Sequence, residues 1–152
     1  MKHTRQRRSD CPINFAVETF GDPWSLLIIR DLVYFGKNTY SEFLASEEGI
    51  ATNILASRLA RLEQQGILVK KPHDEDERKE CYTLTEKGLD LIPILVEIAN
   101  WSAEHDPCTA APPAWIALTR AEKEKMIRLI RETVQSGGSV FAGEKSLISK
   151  FM

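Results

Sequence analysis

Residues 50–68 read IATNILASRLARLEQQGIL, a pattern that predicts an amphipathic helix. Leu55, Leu59 and Leu62 recur at the spacing of one buried helical face. The opposite face is small and polar with one long cation, and it comprises Asn53, Ser57, Ala60, Arg61 and Gln64. Short side chains allow close approach to a DNA major groove, where amides and hydroxyls bond to base edges and arginine bonds to guanine or phosphate. The face therefore indicates either a DNA-reading helix or an ordinary solvated one.

The composition predicts one globular domain. The chain has 152 residues, is 43% hydrophobic and 28% charged, and carries a net charge of −2. It contains neither the roughly 20-residue apolar run of a membrane span nor the apolar region of a secretory signal. Three cysteines without a C-x-x-C pair argue against a disulfide scaffold or a structural zinc site. We expect a cytoplasmic protein with no cofactor, no metal and no membrane partner.

Signals for helix ends place further helices before the central stretch. Residues 12–19 predict a short helix with proline at its first position. Asp22-Pro23 then supplies an N-cap and a first residue for a helix over 24–34, whose apolar sequence WSLLIIRDLVY makes it the most buried. Thr39 to Glu42 is a capping box for a short third helix. That short helix, a loop and the helix that Gly66 closes form a predicted helix-turn-helix.

The pattern changes after this helix to the period of two that is typical of strands. Residues 67–71 and 80–84 predict a β-hairpin, and the intervening residues 72–79 form a wholly polar tip. A hairpin that follows a helix-turn-helix makes a winged helix. The tip is acidic on balance, so Arg78 and Lys79 are its favourable DNA contacts, and an arginine there can enter a minor groove. A solvated hairpin whose charges pair with one another is the alternative.

The carboxy-terminal third predicts two more helices. Residues 85–103 predict one helix, kinked by Pro93, with an apolar side formed by Leu89, Ile92, Leu95, Val96 and Ala99. A helix over 119–135 either extends a dimer interface, covers the first helices or packs on its own subunit. Residues 137–152 are either a loose tail or a segment that docks through Val140-Phe141 and Leu147-Ile148.

Two features precede the first helix. Lys2, Arg5, Arg7 and Arg8 form a basic arm that either tracks a DNA backbone or minor groove or stays solvated. Cys11 stands at a helix N-terminus just after these cations, and both the helix dipole and the cations favour a thiolate. Cys11 is therefore the redox-sensing candidate, and a partly buried, inert side chain is the alternative.

A set of short motifs follows in order along the chain: Cys11-Pro12, Trp24 with Leu26 to Arg30, Phe43-Leu44, Gly49-Ile50, Leu55, Arg58-Leu59, Leu62-Glu63 before Gly66, Tyr82 to Gly88, and Trp101. In order and spacing, this set resembles the HxlR-type winged-helix transcriptional regulators, which are relatives of the MarR regulators. The resemblance implies a homodimer that binds operator DNA. It also implies that the start of the central helix reads bases, that the wing touches an adjacent groove, and that residues 85–103 pair with their twin.

The chain departs from the family pattern at four places. Ala51-Thr52-Asn53 stands where Ser-Pro-Arg is frequent, which implies a weaker or shifted N-cap and a different operator. Asp22-Pro23-Trp24 replaces Gly-Lys-Trp. Asn38-Thr39 replaces an arginine and so removes a phosphate contact. The wing sequence at residues 76–78 looks closer to the MarR wing, which favours Arg78 as the contact.

The resulting prediction is a mainly α protein with a small β-hairpin wing, a winged helix-turn-helix with C-terminal dimerisation helices. Its boundaries are a basic arm (1–10), the winged domain with its dimerisation helix (11–104), a linker (105–118) and an accessory helix and tail (119–152).

No nucleophile elbow, Walker motif or metal-ligand spacing indicates an enzyme. The predicted function is a DNA-binding regulator that acts by occupying its operator, and its input is a redox signal or a small-molecule effector. The alternative is a protein-binding adaptor. The predicted DNA contacts are Thr52, Asn53, Ser57, Arg58, Arg61, Arg78 and Lys79. Arg58 lies at the edge of the buried stripe of α4 and either contacts phosphate or has a structural role.

Overall fold

The computed structural model describes residues 7–151, so the predictions for Lys2 and Arg5 of the arm lie outside the described residues. The order of elements confirms a mainly helical winged helix with one hairpin. The helices and strands are α1 (Pro12–Phe20), α2 (Ser25–Tyr34), α3 (Tyr40–Leu44), α4 (Thr52–Gln64), β1 (Leu68–Pro72), β2 (Glu80–Leu84), α5 (Glu86–Leu89), α6 (Ile92–His105), α7 (Pro113–Ala121) and α8 (Lys123–Gln135), followed by a 3-10 turn at Leu147–Lys150.

Helices α3 and α4 form the predicted helix-turn-helix. The capping box of α3 is present: the Thr39 hydroxyl accepts the Glu42 N–H at 3.3 Å, and the Glu42 carboxylate accepts the Thr39 N–H at 3.2 Å. One face of α4 is buried in the core through Leu55, Leu59 and Leu62, as the periodicity predicted. This burial fixes which face of α4 remains free.

Gly66 ends α4 in the left-handed conformation, with φ of 73°. The Ile67 N–H bonds to the Leu62 carbonyl at 2.9 Å and the Gly66 N–H to that of Glu63 at 3.0 Å, which is the Schellman arrangement. The carbonyls that the last turn leaves free are thereby satisfied, and the chain turns directly into β1.

Replacing Gly66 by alanine is expected to lower the free energy of unfolding by about 1 kcal/mol, because a Cβ is strained at positive φ. The measurement is denaturant unfolding. Gln64→Ala, at an exposed position in the last turn of α4, is the matched control and should change stability little. Alanine is the better helix former at both positions, so an equal loss in both variants would mean that the left-handed backbone at Gly66 is not the source of the loss.

The hairpin pairs antiparallel with Leu68 opposite Leu84 and Pro72 opposite Glu80. Strand β2 has the predicted bounds, and β1 begins one residue later than predicted because Ile67 still belongs to the helix-ending motif. The Tyr82 N–H donates to the Asn38 carbonyl at 2.8 Å, which ties the wing to the loop between α2 and α3. The wing is therefore held beside the helix-turn-helix.

Two predicted helix boundaries are wrong. Helix α2 begins at Ser25 rather than Trp24, because the Asp22 carboxylate accepts the N–H groups of Trp24 and Ser25, each at 2.9 Å, and so caps a turn ahead of the helix. The predicted helix over 85–103 is two helices, α5 and α6, and Pro93 lies in the first turn of α6. A proline there ends the preceding helix but suits the start of the next, where its missing N–H has no partner to lose.

The segment after α6 is more ordered than predicted. Residues 113–118 of the predicted linker belong to α7, which buries Trp115 and Ile116. The predicted helix over 119–135 is broken at Glu122, whose φ and ψ of −131° and 50° are not helical. Helix α8 buries Met126 and Ile130 against its own subunit, on α2 and α6. Of the alternatives for this segment, packing on its own subunit, including cover of the second helix, is therefore confirmed, and a role in a dimer interface stays a prediction.

Residues after α8 pack against the body of the subunit, at the end of α2. The Val140 and Phe141 N–H groups donate to the carbonyls of Val33 and Tyr34, at 3.1 and 2.8 Å, and Val140 and Leu147 are fully buried. The loose-tail alternative is therefore wrong for residues 137–151. Across residues 7–151, every helix is too short or too polar to cross a bilayer.

Candidate DNA-binding surface

The outer face of α4 presents short side chains. Thr52, Asn53 and Ser57 are exposed, as are Ala56 and Ala60 beside them. Ala51 occupies the N-cap, where its methyl group cannot accept a hydrogen bond, so the N-cap is weak, as its departure from the family pattern implied. The Tyr40 hydroxyl donates to the Thr52 carbonyl at 2.9 Å and links the two helices of the motif at this end. The sequence did not single out Tyr40.

The two arginines of α4 bind groups of their own subunit, one in the turn between α1 and α2 and the other at the end of α1. The Arg58 Nε lies 3.1 Å from the Asp22 Oδ1, in a pair whose side chains are 27% and 17% exposed. The Arg61 guanidinium donates to the Glu18 carbonyl in the last turn of α1. Both predicted phosphate contacts therefore have partners within the subunit.

Asp22 is ionised in this arrangement. Partial burial acts to raise its pKa, but hydrogen bonds from Ser25 and Trp24 and the positive charge of Arg58 outweigh burial, so the pKa lies below its ordinary value. The carboxylate hence stays charged at neutral pH and holds Arg58 by charge as well as by hydrogen bonding.

The tip of the wing projects Arg78 into solvent. Its side chain is 92% exposed, and its Nε lies 3.2 Å from the Asp76 Oδ1. Hydrogen bonds from the Arg78 backbone and side chain hold the pKa of Asp76 below its ordinary value. Lys79 beside it is also exposed. An ion pair this exposed contributes little to stability, so Arg78 can leave Asp76 at small cost.

Cys11 occupies the N-cap of α1 and is exposed, and its role as a redox sensor stays a prediction. Cys108, in the loop after α6, is exposed as well, and Cys81 is buried. Arg8 bonds to Asn14 at 2.7 Å and pairs with Glu18 at 3.4 Å, so part of the basic arm folds back along α1.

Two helices expose large apolar side chains. On α6, Trp101 is 65% exposed and Ile98 is exposed beside it, while on α1 Ile13 is 71% exposed, with Val17 one turn further on. Exposed apolar groups that cluster on helix faces are typical of interaction surfaces. Trp101 belongs to the motifs singled out in the sequence, but the apolar face of α1 was not predicted, although the i, i+4 spacing of Ile13 and Val17 indicates it.

A cleft of about 1130 Å³ separates α2 and α6 from the segment that follows α6. Trp115 and Phe141 line its apolar part. At its polar end Arg30 pairs with the buried Asp31 at 2.8 Å and with Glu48 at 2.5 Å. The hydrogen bonds that Arg30 donates to the Glu48 carboxylate raise the pKa of Arg30 above its ordinary value. Only the tertiary fold brings these residues together, so the cleft had no sequence signal.

Comparison with known proteins shows the family to which this chain belongs. The sequence model of the family described as HxlR-like helix-turn-helix matches residues 19–109, which run from the end of α1 to the loop after α6. An HTH-type transcriptional regulator of Mycobacterium tuberculosis is 36% identical over 98 residues, which are 64% of this chain and 61% of that protein. The chain therefore matches less than two thirds of the length of this relative.

Solved structures agree on the fold. PA1607, a candidate transcription factor, is 35% identical with a TM-score of 0.62, over 70% of this chain and 74% of that one. The redox regulator HypR in its oxidised form is 27% identical with a TM-score of 0.56, over 62% of this chain and 97% of that one. Helices α7 and α8 and the docked tail lie beyond the residues that the family model matches.

Proposed function

This chain belongs to the HxlR-like helix-turn-helix family of transcriptional regulators, and we propose that it binds operator DNA sequence-specifically as a homodimer. The observation that carries the proposal is the outer face of α4, where Thr52, Asn53 and Ser57 stand exposed on a helix whose other face is buried. These side chains are short enough for close approach and carry the hydroxyl and amide groups that base edges accept. Action on DNA implies a cytoplasmic protein.

The proposed contacts divide by what they touch. Thr52, Asn53 and Ser57 lie against base edges in the major groove, and Arg78, with Lys79, enters an adjacent groove from the wing. Arg58 and Arg61 bind phosphate, for which Arg58 must leave Asp22 in the turn between α1 and α2, and Arg61 must leave the Glu18 carbonyl in the last turn of α1.

The proposed dimer buries the exposed apolar faces of α6 and α1. A two-fold partnership through these helices would place the two copies of α4 roughly 34 Å apart, about one turn of DNA. Trp101 and Ile98 on α6 are the central contacts, because they are large, apolar and exposed in the subunit.

A selection followed by a salt titration tests the function. Genomic fragments that the protein retains are sequenced, and the affinity for the enriched site is measured from 50 to 200 mM salt. A regulator with several phosphate contacts should lose on the order of 10³-fold in affinity over this range. Absence of an enriched site, or binding that ignores salt, would favour the adaptor alternative.

We propose two kinds of signal for this regulator, a redox signal and a small-molecule effector. Cys11 is exposed at a helix N-terminus, and the structurally similar HypR is a redox regulator, which supports a redox input. In that mechanism the thiolate attacks a peroxide, which forms sulfenic acid and releases hydroxide. A second thiolate then displaces hydroxide from this sulfur to form a mixed or intersubunit disulfide, so that two electrons reach the peroxide. The cleft beside Trp115 supports the other input, a small-molecule effector.

Cys11→Ser should leave the DNA affinity of the reduced protein unchanged and remove the effect of peroxide on it. The measurement is DNA affinity before and after mild peroxide treatment. Cys108→Ser, at the other exposed cysteine, is the matched control and should respond like the wild type. If the Cys11→Ser protein still releases DNA on oxidation, Cys11 is not the sensor.

A further inference from the structure

The Asp22 carboxylate is the shared acceptor of the turn that connects α1 to α2. It receives the N–H groups of Trp24 and Ser25, the Ser25 hydroxyl at 2.5 Å and the Arg58 Nε at 3.1 Å. The first three bonds build the start of α2. The fourth reaches across to α4, so the same carboxylate also fixes where an arginine of the DNA-reading helix points.

Arg58 directly follows Ser57 on α4, and its side chain remains 27% exposed. A guanidinium has the same preference for a carboxylate as for a phosphate, because both offer paired anionic oxygens. The proposed phosphate contact and the contact with Asp22 therefore compete for one group.

We propose that Asp22 is an internal competitor of DNA for Arg58, and that it weakens operator binding by holding this arginine in the free protein. The inference rests on the proposed function. Because the contact must break when DNA binds, DNA and the α1–α2 turn are thermodynamically linked: whatever strengthens the contact weakens DNA binding, and DNA in turn loosens the contact.

The surroundings extend this linkage to α1. Of the nine residues of α1, Thr19 alone is buried among the residues that the structure describes, and Arg61 of α4 bonds to the Glu18 carbonyl at its end. Helix α1 is thus joined to α4 by this polar contact, while Phe20 at its end packs against the core. Cys11 is the N-cap of α1. A displacement of α1 would alter the bonds that Arg58 and Arg61 of α4 make to Asp22 and Glu18.

Asp22→Asn tests the proposal with little harm to the fold, since asparagine is as good a helix cap and keeps an oxygen for Trp24 and Ser25. The variant should bind the selected operator about two- to fivefold more tightly than the wild type, the range that a partly exposed ion pair supplies. Arg58→Ala should bind more weakly and flatten the dependence of log affinity on log salt by about one. Adding Asp22→Asn to Arg58→Ala should change nothing further.

Glu47→Gln, which removes an exposed acid before α4, is the control for a general loss of negative charge. Thermal unfolding checks that all variants are folded. If Asp22→Asn binds no more tightly than wild type or Glu47→Gln, or if its gain persists in Arg58→Ala, the proposal is overturned while the regulator function stands. An Arg58→Ala variant with unchanged affinity and salt dependence also overturns it. If the wild type retains no DNA at all, both the inference and the proposed function fail.

Discussion

Ser57→Glu is expected to abolish operator binding, with a loss in affinity of about 100-fold or more, because like charges brought together at an interface cost several kcal/mol. Ser57 lies on the exposed face of α4 and is one of the proposed base contacts. A carboxylate there would meet the negative potential of the groove. Glutamate is a good helix former and the position is exposed, so the fold and stability should not change.

Two controls separate charge from the other effects of this substitution. Ser57→Gln has nearly the same size without the charge and should lose much less affinity than Ser57→Glu. Ala117→Glu adds the same charge at an exposed position of α7 and should bind like the wild type. Affinity is measured on the selected operator, and circular dichroism verifies the fold. Retained binding by a folded Ser57→Glu protein would show that α4 does not face DNA.

Trp101→Asp is expected to dissociate the dimer and, with it, to reduce operator affinity by about 100-fold. Trp101 is 65% exposed in the subunit, so its removal leaves the subunit core intact, but an aspartate at the proposed two-fold interface would face its twin in an apolar contact. Each half-site is then bound by a single subunit, and the gain in affinity from linking the two copies of α4 is lost.

Sedimentation and affinity are measured together on this variant. Phe151→Asp changes another exposed aromatic residue in the same way, outside α1 and α6, and should remain a dimer that binds DNA. Should the Trp101→Asp protein stay dimeric, α6 does not form the interface. If the wild type itself is a monomer at the concentrations that bind DNA, the protein does not bind two half-sites as a dimer.

Local patterns predicted the winged helix well where each element is defined by its own residues. The leucine repeat of α4, the glycine that ends it and the capping box of α3 depend on contacts within a few residues, and all three were predicted correctly. The two breaks that the patterns did not predict, between α5 and α6 and at Glu122, lie inside stretches whose helical periodicity continues past the break. Periodicity reports a buried face and not where the backbone turns, so it does not reveal such a break.

The sequence by itself determined the fold class, the face of α4 that is free to meet DNA and the position of the wing, because hydrophobic periodicity and caps are local properties. Only the tertiary structure decided the partners of Arg58 and Arg61, the docking of the tail on α2 and the cleft beside Trp115. Each of these joins residues far apart along the chain. An arginine carries the same charge whether it faces phosphate or a carboxylate, so the position of Asp22 and of the end of α1 beside α4, and not residue type, determines which anion is within reach.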